Sequence, residues 1–224
     1  MNTKLNSVRG ELGFSLIELM IAMTLTLIIA GASATLLSQS FRMRSREDIR
    51  SDAIADAQRA LNIVSREIAN SGFGLVDNGI VPGDTNNQSI RIRANLNAYT
   101  YEPTNHEVID PDEDIKYLMY NDDPANRHYL VRLDASLAVT DPPKSKTVLA
   151  NRLDSFSLRY FDSGGAEIDV VANPLNVRDA WKVRISVGVI LPADGTPGSP
   201  GYQPQSTVNL ASDVVLRNVS QLTY

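Results

Sequence analysis

From Phe14 to Leu37 the chain is apolar at nearly every position, and Glu18 is the only ionisable residue in that stretch. As a helix rising about 1.5 Å per residue it spans roughly 36 Å, enough to cross a ~30 Å hydrocarbon core with some tilt. No later stretch is apolar for long enough to do the same, so the pattern predicts one membrane segment. Beyond it the apolar positions take on a helical period. Ile54, Ala57, Leu61, Val64 and Ile68 fall on one stripe, while Arg50, Asp52, Asp56, Arg59, Arg66 and Glu67 occupy the other faces. No proline interrupts residues 14 to 70, and Asn70-Ser71-Gly72 supplies a stop with a glycine suited to a left-handed cap. The expectation is one helix of roughly 85 Å, first membrane-embedded and then amphipathic.

After Gly72 the period changes. Trp181, Val183, Ile185, Val187, Val189 and Leu191 alternate with Lys182, Arg184, Ser186, Gly188 and Ile190, the clearest strand pattern in the chain. Phe156, Leu158 and Tyr160 alternate in the same way. Asp162-Ser163-Gly164-Gly165 then turns the chain into residues 167–171, which predicts a hairpin. Shorter strand candidates are 89–93, 115–120, 128–134, 146–150 and 207–217. The segment from Pro192 to Gln205, with four prolines and three glycines, reads as an exposed loop. A single amphipathic helix needs a surface to cover its stripe, so the fold class expected is α+β: the long N-terminal helix packed on an antiparallel β-sheet head.

Composition narrows the chemistry. The chain has 224 residues, 43% of them apolar, with 26 acidic against 21 basic side chains and a net charge of -5. The length suits one domain or a small pair. The absence of cysteine excludes a disulfide framework, a thiolate metal site and a cysteine nucleophile. An acidic balance argues against a nucleic-acid partner bound by bulk charge. The histidines, His106 and His128, are too few for a histidine-rich metal site and have no nearby nucleophile or acid partner in the sequence.

The N-terminus admits three readings. Lys4 and Arg9 precede the apolar run, and Ala32-Ser33-Ala34 has the small-x-small form of a secretory cleavage site. A plain single-pass anchor is the second reading. The third is a short leader cut between Gly13 and Phe14, which leaves the apolar helix on the mature protein. Glu18 favours the third, because an intramembrane carboxylate is costly and asks for a partner. Cleavage after Gly13 creates one: the amine of Phe14, at the positive end of the helix. Within one chain the two groups cannot easily neutralise each other, whereas between staggered neighbouring chains they can. Charge counts do not set the orientation, since Arg42, Arg44, Arg46 and Arg50 follow the segment and only Lys4 and Arg9 precede it.

Gly13-Phe14-Ser15-Leu16-Ile17-Glu18 after a short basic leader resembles the cleavage motif of type IV prepilins and type II secretion pseudopilins. The resemblance implies cleavage after Gly13 by a prepilin peptidase, N-methylation of Phe14, and pairing of Glu18 with the Phe14 amine of a neighbouring subunit. It divides the chain into a leader (1–13), a transmembrane or filament-core helix (14–37), its amphipathic continuation (38–70) and a β-rich head (71–224). Many major pilins bend the apolar half at a proline; here Gly31 and Thr35 stand near that place, which leaves a local unwinding over Gly31–Ala34 open. The segments Gln58–Leu61, Ser65–Ile68, Ser71–Gly74, Leu153–Tyr160 and Val215–Asn218 look like PilW-type minor pilins. The function implied is a minor pilin of a type IV pilus, not an enzyme and without cofactor. Its partners would be other major and minor pilins and the inner-membrane pilus assembly platform. It would sit in the inner membrane with its head in the periplasm, and in the pilus at the cell surface after assembly. Alternatives are a J-type minor pseudopilin of type II secretion, or a tip adhesin or DNA-uptake module.

Other residues invite chemistry less strongly. Asp110, Asp112 and Asp114, with Glu113 between them, begin like a calcium loop, but the positions that should hold glycine and glutamate are Ile115 and Asn121. A solvated acidic loop is the plainer reading. Gly72, Gly74 and Gly79 are spaced wrongly for a dinucleotide loop and suggest a helix stop with a flexible turn. Tyr99, Tyr101, Tyr117, Tyr120 and Tyr129 are candidates for an adhesive surface or for structural packing. The arginines at 42–50 could meet lipid headgroups or acidic neighbours, or form a solvated helix face.

Overall fold

The computed structural model describes residues 13–97, 110–120, 128–140, 145–151, 153–199 and 202–218. The chain divides into two compact units, Met1–Glu47 and Asp48–Tyr224. Helix α1 (Leu16–Ala69, 54 residues) contributes to both.

In the first unit, the side chains of α1 are exposed along the apolar run, from Phe14 at 84% through Ile28 at 67% to Leu37 at 58%. A surface this apolar is matched to lipid or to other helices rather than to water. The helix has no break over Gly31–Ala34, so the local unwinding that the sequence left open is not seen. The hydroxyls of Thr24, Thr26 and Thr35 donate to the carbonyls of Ile21 (2.9 Å), Ala22 (2.7 Å) and Ala32 (2.7 Å). Each thus finds its partner within the helix, which an apolar surrounding demands of any polar group.

The second unit holds two antiparallel sheets. Strands β1 (Ser89–Arg93), β2 (Asp114–Tyr120), β3 (Tyr129–Asp134) and β4 (Lys146–Ala150) form the first, in chain order, and a short helix α2 (Ala135–Thr140) lies between β3 and β4. The second combines β5 (Leu153–Phe161), β6 (Glu167–Ile168), β7 (Lys182–Leu191) and β8 (Ser206–Val215) in the order β6-β5-β7-β8. The hairpin expected after Tyr160 is present, with Tyr160 opposite Ile168 and Phe161 opposite Glu167. β7 buries Val183, Ile185, Val187, Val189 and Leu191 on its inner face. The predicted loop 192–205 links β7 to β8 and is drawn together by paired hydrogen bonds between Asp194 and Gln203, both 2.9 Å.

One core joins α1 to both sheets. On the helix it takes in Ala53, Ala57, Ala60, Leu61, Val64, Ile68 and Ala69, whereas Ile54 is only half-buried. Small alanines at 53, 57 and 60 make up much of this stripe, so it is narrower and more alanine-rich than a search for large apolar residues suggests. The sheets meet along the free side of β5. The amide of Leu158 donates to Asn87 O at 2.9 Å, the Tyr160 hydroxyl to Asn86 O at 3.0 Å, and the Leu153 amide to His128 O at 3.3 Å. The end of α1 is closed by the residues after β8. The Arg217 amide donates to Ala69 O at 3.1 Å, and Asn218 Nδ2 donates to the carbonyls of Asn70 (3.2 Å) and Ser71 (2.9 Å). These carbonyls are among those that a helix terminus leaves without intrahelical donors.

Candidate functional site

The candidate site is the start of α1. Gly13, Phe14 and Ser15 precede the helix, and the Ser15 carbonyl accepts the first helical hydrogen bonds from the amides of Glu18 (3.0 Å) and Leu19 (3.1 Å). Glu18 therefore stands in the first turn, where the unpaired amides of the helix favour a negative charge. Gly13, Phe14 and Glu18 are all exposed. A Cβ placed on Gly13 would meet nothing within 4 Å, so packing in this chain does not demand glycine there. The leader residues 1–12 lie outside the described residues.

In the second unit a cleft of about 420 Å³ opens between the end of α1 and the first sheet, with Ile63, Ile92, Ile115 and Leu149 among its lining. Its charged groups are engaged with one another. The Tyr117 hydroxyl donates a very short hydrogen bond to Glu67; Arg132 contacts Glu67 at 3.1 Å and Asp112 at 2.6 Å. Burial, reinforced by the adjacent Glu67 carboxylate, pushes the Tyr117 hydroxyl far above its ordinary range, so it remains a donor. This cluster clamps the helix to β2 and β3. Pattern reading placed Glu67 on a polar face and gave no hint of it, because its partners lie 50 and 65 residues away in sequence.

The acidic run does not assemble a cation site. Asp114 accepts from Arg91 (2.7 Å) and Arg93 (2.9 Å), Asp112 pairs with Arg132, and Asp110 accepts from Asn97 at 2.6 Å. Glu113 is buried and accepts the amides of Leu96 (2.8 Å) and Asp110 (3.2 Å). Asp110 and Asp112 are exposed, as a solvated acidic loop would have them, whereas Glu113 and Asp114 are buried and act as ties. Among the described residues no group of three His, Cys, Asp or Glu is arranged to hold a metal.

The turn after α1 is not a loose connection either. Gly72 and Gly79 have φ of +78° and +72°, and a Cβ on Gly79 would lie 2.2 Å from both Arg93 O and Gly72 N. Between them Asn78 is fully buried, donating through Nδ2 to the carbonyls of Val177 (2.9 Å) and Arg178 (3.0 Å) and accepting the Ile80 amide at 3.1 Å. The tyrosines scatter. Tyr117 belongs to the core, Tyr120 is exposed with Lys146 Nζ 5.5 Å from its ring centre, Tyr129 is half-buried, and Tyr99 and Tyr101 lie outside the described residues. His128 is half-buried at the start of β3, and His106 is also outside the described residues.

The fold is a pilin-like α+β arrangement, a long N-terminal helix packed on antiparallel sheets. A protein-family comparison matches residues 8–34 to the prokaryotic N-terminal methylation motif, the signature of the type IV prepilin and pseudopilin class. That class is structural rather than catalytic, and its motif implies processing by a prepilin peptidase and assembly with other pilins. The single N-terminal apolar helix is consistent with anchoring in the inner membrane before assembly. No match to a curated protein was found.

Proposed function

We propose that the chain is a minor pilin, an assembly subunit of a type IV pilus most similar to the PilW type. Prepilin peptidase cuts between Gly13 and Phe14, and the new Phe14 amine is methylated. The helix first anchors the subunit in the inner membrane, head in the periplasm, and then enters the filament core. Glu18 of one subunit neutralises the Phe14 amine of its neighbour, and its place in the first helical turn of an otherwise uncharged apolar surface carries this reading. The structure of this chain gives no packing reason for glycine at 13, which supports a role for Gly13 in cleavage. In the head, Ala57, Leu61, Val64 and Ile68 hold α1 to the sheets, with Ile54 at the margin of that contact.

Three measurements test the proposal. The mass of the mature N-terminus is expected to correspond to methylated Phe14; a start near Thr35 overturns it. Glu18→Ala is expected to be processed and folded yet absent from sheared filaments, and normal incorporation of that variant refutes the pairing role. Deleting the gene should abolish piliation and leave type II secretion intact; the opposite result assigns the chain to the pseudopilins.

A further inference from the structure

We infer that Arg42 and Arg44 form a phospholipid-binding collar that seats α1 in the membrane through anionic headgroups. The inference rests on the membrane-anchored reading above and is independent of the choice between pilus and secretion system.

The spacing comes first. The apolar run ends at Leu37, and Ser38-Gln39-Ser40 follows. The helix continues without a break, so Arg42 Cα lies roughly 7–8 Å beyond Leu37 along the axis. The headgroup layer on each side of the hydrocarbon core is about 5–8 Å thick. Side chains on a helix lean toward its N-terminus, which here is the membrane side. Arg44 Cα lies roughly 10–11 Å beyond Leu37, so the guanidinium groups of Arg42 and Arg44 reach back toward the headgroup layer rather than outward into water.

The composition of this stretch fits that depth. Phe41 and Met43, exposed at 62% and 59%, interleave with Arg42 and Arg44, which are also exposed. Apolar side chains at this level enter the acyl boundary while guanidinium groups bind phosphate bidentately. Arg42 and Arg44, two residues apart, point to opposite sides of the helix, whereas Arg46 is half-buried and already engaged within the chain. The charge thus surrounds the helix instead of marking one docking face for a protein. Glu47 and Asp48 follow on the water side, so the membrane-proximal step of the axis is positive. This accounts for arginines after the span that do not serve as an orientation signal.

The test uses the full chain in mild detergent, equilibrated with mixed micelles of phosphatidylcholine and phosphatidylglycerol, with bound lipid counted by native mass spectrometry. Wild-type chain is expected to retain phosphatidylglycerol preferentially. The double variant R42Q/R44Q is expected to lower the bound ratio of phosphatidylglycerol to phosphatidylcholine at least about fivefold. R42K/R44K, which keeps the charge, should stay within about twofold of wild type. Trp181 fluorescence and circular dichroism check that the variants are folded, and the N-terminal mass in the same spectra reads processing separately. An unchanged ratio in the glutamine variant overturns the inference. So does a glutamine variant that keeps its lipid preference but no longer co-isolates with other prepilin-like subunits, since the arginines would then serve a protein contact.

Discussion

At the scale of single residues, the head depends most on positions whose importance is steric or polar rather than apolar. Gly79 has a left-handed backbone and carbonyl and amide atoms where a Cβ would sit. Gly79→Ala is expected to destabilise the chain by at least about 3 kcal/mol in urea unfolding. Asn78 is fully buried and ties the turn after α1 to the 3₁₀ segment Pro174–Asp179. Asn78→Ala takes the side-chain partner from the Arg178 carbonyl and the Ile80 amide, while Val177 O keeps the Ala180 amide, and a loss of about 2–4 kcal/mol is expected by the same measurement. Neither residue stands out in the sequence. A glycine after a helix reads as a cap, and an asparagine in a polar stretch reads as loop; the backbone of Gly72 and Arg93 makes Gly79 indispensable, and the arrival of a segment about a hundred positions away does so for Asn78.

At the scale of elements, α1 is bound to the head through a buried, alanine-rich stripe. Ala60 is fully buried against the sheets, so Ala60→Leu overpacks the interface, with an expected cost of about 1–3 kcal/mol in thermal or urea unfolding. An exposed substitution such as Asp56→Ala removes only an i,i+3 pair with Arg59 and should change stability by less than about 0.5 kcal/mol. Strands were legible where one face is buried and the other wet: β7 and most of β1 follow their alternation, whereas β4 is exposed from Lys146 to Val148. Elements fixed by tertiary contacts were not. The short helix α2 begins where Asp134 accepts the amides of Ser136 (3.0 Å) and Leu137 (3.2 Å). That cap is visible in the sequence only as an acid followed by small residues. β5 begins at Leu153, ahead of the alternation at Phe156, because its opening residues pair across a bulge with β7.

For the whole molecule, charge acts in two separate settings. In the head, carboxylates hold loops to strands, and their titration sets the acid limit of stability. Hydrogen bonds from Lys116 and Arg91 hold the Asp84 carboxyl below its ordinary value of 3.8. Burial pushes Asp134 up, but the Ser136 hydroxyl and the amides of Asp112, Leu137 and Ser136 outweigh it and leave the group depressed. A depressed carboxylate stabilises the fold fully above its unfolded value and loses that contribution as pH falls through the folded value. Urea midpoints of the detergent-solubilised chain should therefore vary little from about pH 7 to about pH 5 and drop below about pH 4. Asp134→Ala should flatten that drop. In the apolar helix a single carboxylate, Glu18, marks the proposed assembly contact. What the sequence determined by itself was the long helix, its membrane-compatible half, the processing motif and the β character of the head, because periodicity, length and a contiguous motif are local properties. The tertiary structure alone decided that the head contains two sheets, that Ala53 and Ala60 rather than Ile54 are buried on the helix, and that Glu67, Asp112 and Asp114 are bound by strand residues. Those outcomes depend on side chains brought together from distant segments, which no local pattern encodes.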